Sequence, residues 1–340
     1  MGLRQKRPPK LFTLGEVTHS PRAIRQLVRH RVSAQILLEK HQTGQWQEEG
    51  EAVRAHNEFA VHNGLPVASQ FQLGDGQSIL IMTTPDRRKT YVLTPEEYAP
   101  VELDLRSGYA RWAEKYDSWQ NPLLAVEEPH IKIMLRRLQF ESVLDVGAGT
   151  GRYTRWLSDK RKQVIGLDLS SAMLAVARRK PAQFSLAWAD SSKKLTLIQA
   201  DAGKTLPFPA GHFDLVLSTL LLHHVADLPA LFREFARLQK PGGYCLISAL
   251  HPQALAAGWQ PTLADARGMY RLPHHAHQPA DYQEAAESAG YQVVEMLELP
   301  VAYAPARFFS PPVLEQHSET NLCLIMLAQS STSSGPLGQI

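Results

Sequence analysis

Val143-Leu-Asp-Val-Gly-Ala-Gly-Thr-Gly-Arg152 runs from an apolar, strand-like segment straight into a glycine-rich turn, and its reading decides the fold. Glycines at such a turn let the backbone approach a ligand and take up conformations closed to other residues. Those at 147, 149 and 151 form G-x-G-x-G, one residue tighter than the G-x-G-x-x-G fingerprint that seats a dinucleotide pyrophosphate. On its own the turn is shared by nucleotide-binding folds of several kinds.

The next segments sharpen it. Val164-Ile-Gly-Leu-Asp-Leu puts Asp168 at a strand end, near the distance at which a ribose-binding acid is expected, and a carboxylate there accepts from both ribose hydroxyls. Leu197-Ile-Gln-Ala-Asp-Ala puts Asp201 at the following strand exit, within reach of an adenine amino group. With Asp145, three acids at successive strand ends converge on one crevice at the carboxyl edge of a sheet.

Around this centre, strand and helix patterns alternate from about Asp104, which predicts an α/β domain with a mostly parallel sheet. Strands are expected at Ser142 to Val146, Gln163 to Asp168, Leu195 to Gln199, Phe213 to Ser218 and Gly243 to Ala249, with late strands at Tyr291 to Leu297 and Asn321 to Gln329. Gly151 to Ser158, Ser171 to Arg178, Leu228 to Leu238 and Asp281 to Ala289 carry the helical apolar faces. The segment from His251 to His277 is expected as a lid or substrate wall, and Ser330-Ser-Thr-Ser-Ser-Gly opens a disordered tail over 330–340.

Before Asp104 the pattern differs. Residues 1–19 are expected to be a basic, flexible tail, and 20–100 a small α+β module. Ser20-Pro21 starts one helix, Ser33 caps a second that stops near Gly44, and a third covers Glu49 to Ala60. Pro66 to Leu73 and Ser78 to Thr84 form a hairpin around Gly74-Asp75-Gly76, with a third strand at Tyr91 to Thr94. The remaining span, 101–329, holds the chemistry.

Composition narrows the class. With 44% hydrophobic and 20% charged residues, and no apolar run long enough to cross a bilayer, no membrane span is expected in these 340 residues. The two cysteines, Cys245 and Cys323, sit in apolar strand-like runs, which suits buried thiols in a reducing, cytoplasmic setting. The formal charge of +3 is mild, although Arg4, Lys6, Arg7, Lys10, Arg22, Arg25, Arg29 and Arg31 crowd the start of the chain. That stretch could serve as a nucleic-acid arm or transit peptide, but it lacks serine richness and interleaved aromatics, so nucleic acid is not expected as a partner.

Together with Leu206-Pro-Phe-Pro, Phe213-Asp-Leu-Val-Leu-Ser, Leu222-His-His-Val and Leu238-Gln-Lys-Pro-Gly-Gly, these motifs closely resemble the class I S-adenosyl-L-methionine-dependent methyltransferase superfamily, from about Tyr109 to Gln329. The resemblance implies a Rossmann-like sheet with helices on both faces. It implies a cofactor site at Asp145, Gly147, Ala148, Gly149, Gly151, Asp168, Leu169, Asp201 and Ala202. Asp145 would orient the methionine amino group, Asp168 the ribose and Asp201 the adenine. Tyr116, at a family-like Tyr-Asp position on an amphipathic segment, would set an aromatic ring by the sulfonium, although packing on the sheet is an equal alternative. A nucleotide-binding domain of another kind is the competing reading.

Methyl transfer needs a base only when the acceptor must lose a proton, and His223, His224 and His251 follow the relevant strand exits. His274, His275 and His277 lack an adjoining Cys or carboxylate cluster, so no metal is expected. Ser218-Thr-Leu-Leu-Leu-His-His stands where amino-methylating DNA enzymes resemble one another in an Asn/Asp-Pro-Pro-aromatic motif, and no Pro-Cys pair is present for pyrimidine methylation. A small or amphiphilic organic acceptor is therefore expected. Within the superfamily the domain looks most like the branch of ubiquinone/menaquinone and malonyl-carrier-protein methyltransferases. A regulatory S-adenosylmethionine-binding protein, or an enzyme acting on RNA or protein, is the alternative. Separately, Leu38-Glu-Lys-His-Gln-Thr-Gly-Gln-Trp, Gly74-Asp-Gly, Asp86-Arg and Leu93-Thr-Pro-Glu-Glu-Tyr resemble small bacterial plasmid-related accessory proteins. That implies a bacterial host and a separable module and gives no chemistry; a protein partner recruited through that module belongs to the regulatory alternative.

Overall fold

The structure is a computed structural model and describes residues 8–46, 50–63, 65–84, 86–98, 100–118, 121–160, 162–180, 195–265 and 268–331. The chain divides into two compact units, one made of 1–101, 264–269 and 305–318, the other of 102–263, 270–304 and 319–340.

In the first unit, strand β1 (Glu16–His19) leads into helices α1 (Pro21–Arg29), α2 (Ala34–Gln42) and α3 (Glu51–Asn63), then strands β2 (Val67–Gly74), β3 (Gln77–Thr83) and β4 (Lys89–Leu93). The sheet order is β1-β4-β3-β2, antiparallel except for the parallel pair β1 and β4. Helix α1 starts where Ser20 Oγ accepts from Ala23 N at 2.9 Å and Pro21 supplies a pre-set φ. Its inward residues Ala23 and Leu27 pack with Leu37, Phe71, Ile79, Ile81 and Val92. Three expectations are corrected. Glu16–His19 is a strand and not flexible tail, since β4 supplies its backbone partners. The unit also takes in a later stretch, 305–318, whose helix Pro311–His317 packs on α3. The second expected tail begins too early, since Ser330 ends a strand (Asn321–Ser330), and residues 1–7 and 332–340 of the two tails lie outside the described residues.

The first unit is stitched by a buried polar chain. Thr90 Oγ1 donates to Leu14 O (2.6 Å), so Thr83 Oγ1 must donate to Thr90 (2.7 Å), and His41 Nε2–H to Thr83 (2.9 Å). His41 Nδ1 is left to accept from Ser69 Oγ at 2.5 Å. This direction requires a neutral ring, and burial together with the nearby Arg87 holds the His41 pKa down at about 3. Trp46 Nε1 donates to His41 O and Gln42 Nε2 to Phe12 O. The Leu38–Trp46 motif thus ties a helix to the sheet.

The second unit begins with α4 (Leu105–Trp112) and α5 (Pro122–Arg137) and continues as β5 (Ser142–Val146), α6 (Arg152–Asp159), β6 (Gln163–Asp168), α7 (Ser171–Arg179), β7 (Thr196–Gln199), β8 (Phe213–Thr219), α8 (Leu228–Leu238), β9 (Gln239–Leu250), α9 (Pro252–Ala256), α10 (Pro279–Ser288), β10 (Tyr291–Pro300) and β11 (Asn321–Ser330). Its seven-stranded sheet has the order β10-β11-β9-β8-β5-β6-β7. Strands β9, β8, β5, β6 and β7 are parallel, and β11 and β10 add antiparallel pairs at one edge. This is the Rossmann-like α/β architecture expected from the sequence. Leu144, Val146, Leu167, Val216, Phe232, Phe235, Ile247 and Met326 form a continuous core between sheet and helices. Asp227 caps α8 and Ser170 caps α7 by accepting from Ala230 N and Met173 N. The chain runs outward from β5 through β6 and β7, then resumes on the other side at β8. The carboxyl end of β5 is therefore a topological switch point, where such sheets bind ligands.

Candidate active site

At that switch point Gly147, Gly149 and Gly151 all have positive φ, 79°, 55° and 79°. A Cβ on Gly147 would stand 3.2 Å from the Leu221 side chain, so glycine there suits both conformation and space. The turn is tied to β6 by Gly147 N and Ala148 N, which both donate to Leu167 O. Asp168 is clamped in turn: its Oδ2 accepts from Gly149 N at 2.9 Å and its Oδ1 from Ser170 N at 2.8 Å. Each oxygen keeps a lone pair for a further donor. Burial pushes the Asp168 pKa up, and the two backbone N–H groups work against that. One strand over, Asp201 Oδ1 accepts from Gly203 N at 2.9 Å.

Gly147, Gly149, Asp168, Leu169, Asp201 and Ala202 line one cavity of about 700 Å³. Asp145, Ala148 and Gly151 stand outside its lining and shape the turn instead. Asp145 is 1% exposed. Its Oδ2 accepts from Thr154 Oγ1 on α6, while no partner for Oδ1 is found among the described residues. Burial raises its pKa to about 6, with the Thr154 hydroxyl opposing. A carboxylate buried with one oxygen unsatisfied is costly for the protein alone and suits a site that meets a cationic or N–H-bearing group.

The far wall of the cavity is aromatic and apolar, made by Leu105, Tyr109, Tyr116, Leu221 and His224. Tyr109 stacks on Trp112 and lies 6.4 Å from the Tyr116 ring, centroid to centroid. Tyr116 is fixed from its neighbour Asp117, which accepts from Thr150 Oγ1 at 2.7 Å and pairs with Lys180 at 2.8 Å. Both phenols are driven to raised pKa values by burial.

The three histidines separate. His224 faces the cavity, and its Nε2 lies 2.8 Å from Tyr109 Oη. His223 is buried behind it, its Nδ1 accepting from Leu250 N, and burial plus His224 holds its pKa well below the usual range. His251 caps α9: its Nδ1 accepts from Gln253 N and its Nε2–H donates to Glu298 Oε2 at 2.8 Å. Burial lowers its pKa and Glu298 pulls it back. His223 and His251 are not among the residues that line this cavity, and the Nδ1 of each accepts from a backbone N–H. His277 donates to Val225 O and His274 to Leu272 O, while His275 N donates to His223 O. Among the described residues no group of three His, Cys, Asp or Glu side chains is placed to hold a metal.

Three participants went unseen in the sequence. Tyr109 marks only where the resemblance begins, with no motif that gives it a role, and Thr154 gives no motif. Glu127 on α5, fully buried, accepts from Arg152 (2.7 Å), Tyr153 (2.8 Å) and Ser248 (2.9 Å). Ser248 Oγ in turn accepts from N of Leu220, a non-glycine residue at φ 54°. The helix after the glycine turn and the loop bearing His224 are thereby held by one carboxylate.

A methyltransferase-domain family model matches residues 144–247. The chain is 31% identical over 205 residues to the demethylmenaquinone methyltransferase of Tropheryma whipplei, covering 57% of this chain and 80% of that protein. It is 35% identical over 162 residues to the malonyl-[acyl-carrier protein] O-methyltransferase of Xylella fastidiosa (44% of this chain, 50% of that protein). To the biotin biosynthesis bifunctional protein of Cellvibrio japonicus it is 32% identical over 155 residues (45% and 29%). The chain thus spans half or less of the length of these last two relatives. Among the described residues no helix is long and apolar enough to cross a membrane. Agreement between this fold, the family model and a methyltransferase matched over 80% of its length makes the chain a member of the class I S-adenosyl-L-methionine-dependent methyltransferase superfamily.

Proposed function

We propose that the protein methylates a small or amphiphilic organic acceptor that enters beside Tyr109 and His224. One observation carries this reading: the clamped acids and the aromatic wall line a single cavity of about 700 Å³, a size typical of small-molecule sites. Asp168 would take the ribose hydroxyls, Asp201 the adenine amino group, and the buried Asp145 would act on the methionine amino group across the glycine turn. S-Adenosylmethionine supplies a methyl carbon already activated by its sulfonium, so the chain's task is to orient the acceptor and exclude water. Leu105, Tyr109, Tyr116 and Leu221 offer the apolar surface for that. The names of the relatives, a demethylmenaquinone and a malonyl-carrier-protein enzyme, agree with an organic acceptor without choosing between a ring and an acyl group.

The test is incubation with methyl-labelled cofactor and separated host fractions: small metabolites, lipids, protein and nucleic acid. Label is expected in a small-molecule or lipid product. Label confined to nucleic acid or protein would overturn the reading.

A further inference from the structure

The two relatives just named act on acceptors of different chemistry, and the far wall of the cavity carries a hydrogen-bonding preference of its own. Pro273 O lies 2.6 Å from His224 Nδ1, and a carbonyl oxygen only accepts, so Nδ1 carries the ring proton. In the neutral imidazole Nε2 then holds a lone pair and no hydrogen. Tyr109 Oη, 2.8 Å away, must therefore donate to it. The phenol's single hydrogen is spent inside the wall, and its oxygen has only lone pairs left to offer the cavity that Tyr109 lines.

We infer that Tyr109 is a specificity-determining residue, held by His224 and Pro273 as a hydrogen-bond acceptor, so that the site takes methyl acceptors bearing an O–H or N–H group and disfavours carboxylates. This rests on the small-acceptor reading above and deepens it. A phenolic, enolic or amino acceptor donates to Tyr109 Oη. A carboxylate would set its own lone pairs against it, and of the other far-wall side chains Leu105, Leu221 and the bare His224 Nε2 supply no donor, leaving only the Tyr116 phenol to offer one. The Pro273 carbonyl fixes the proton on Nδ1, and burial, which holds the His224 pKa at about 4, keeps the ring neutral near pH 7 and so leaves Nε2 bare.

The test uses the full chain loaded with S-adenosylhomocysteine and two probes of matched shape near neutral pH, 1-naphthol and 1-naphthoate. Naphthol is expected to bind at least about tenfold more tightly, the worth of one hydrogen bond against an unmatched acceptor pair. Tyr109→Phe is expected to erase that preference by weakening naphthol alone. A second measurement needs no variant: the ¹⁵N shifts of the His224 ring should show a protonated Nδ1 and a bare Nε2. A protonated Nε2, equal or tighter binding of naphthoate, no binding of either probe, or an unchanged preference in a folded Tyr109→Phe protein would each overturn the inference. Failure to bind S-adenosylhomocysteine at all would instead strike the functional reading beneath it.

Discussion

Replacing Asp168 with alanine separates two jobs done by one carboxylate. In the free protein it accepts from Gly149 N and Ser170 N, closing the turn between β5 and β6 onto the strand end. In the complex its remaining lone pairs would receive two ribose hydroxyls. Hydrogen bonds to a charged group are worth about 1.5–3 kcal/mol each, so losing two costs about 3–6 kcal/mol of binding and raises Kd by about 10²–10⁴. The fold should survive. Two backbone N–H groups lose a partner at roughly 1–3 kcal/mol each, but Gly149 and Ser170 both line the cavity rather than the packed core, and the cost of burying the carboxylate is removed. Asp168→Asn, which keeps one acceptor oxygen and the side-chain shape, should fall between. Calorimetric titration of S-adenosylhomocysteine, with circular dichroism to check folding, measures both. A folded Asp168→Ala protein binding within about threefold of wild type would refute the assignment of the ribose to this carboxylate.

Asp145→Asn should raise the thermal stability of the ligand-free protein while weakening cofactor binding. The rise of its pKa from 3.8 to about 6 corresponds to about 3 kcal/mol as an upper limit. Because the folded value is raised for an acid, that cost develops as pH climbs from about 4 to about 6 and stays constant above. Scanning calorimetry of both forms at low and neutral pH checks it. His41 has the opposite pattern, with its folded pKa lowered from 6.5 to about 3, so the unfolded chain binds the proton first. The first unit should lose stability as pH falls below 6.5, by about 2 kcal/mol at pH 5, read as faster amide exchange in β2 and β3. Equal exchange in those strands at pH 5 and 7, corrected for intrinsic rates, would contradict the buried neutral ring. Finally, we propose that cofactor affinity resides in the second unit, so a chain lacking residues 1–101 should keep its S-adenosylhomocysteine Kd. Loss of binding in a folded truncated protein would show the first unit to be part of the site.

The convergence of Gly147, Gly149, Asp168 and Asp201 on one cavity was legible because its signals are local. Asp168 and Asp201 each end a short apolar run, and the glycine spacing marks the turn after the strand that precedes them. Tyr116 and His224 of the far wall were named as well, but the chain from Tyr109 through His224 to Pro273 was not, because Tyr109 is 115 residues from His224, and His224 is 49 from Pro273. No periodicity links residues so far apart. His251 misled for a physical reason: a strand exit before proline suits both a catalytic imidazole and a helix cap, and only the Gln253 N–H decides between them. Glu16–His19 was hidden because a four-residue strand carries little pattern and its partner β4 lies some 70 residues on.

The late segment 305–318 also sets the order in which the protein is completed. Nascent chains leave the ribosome from the N-terminus, and domains fold as units when their last element emerges. Here α3 must await Pro311–His317, and His56 must await Ser310, 3.4 Å from it. By then β5 to β10 have all been synthesised. Although encoded first, the small unit closes only after nearly the whole methyltransferase sheet has been made, and only β11 remains to follow.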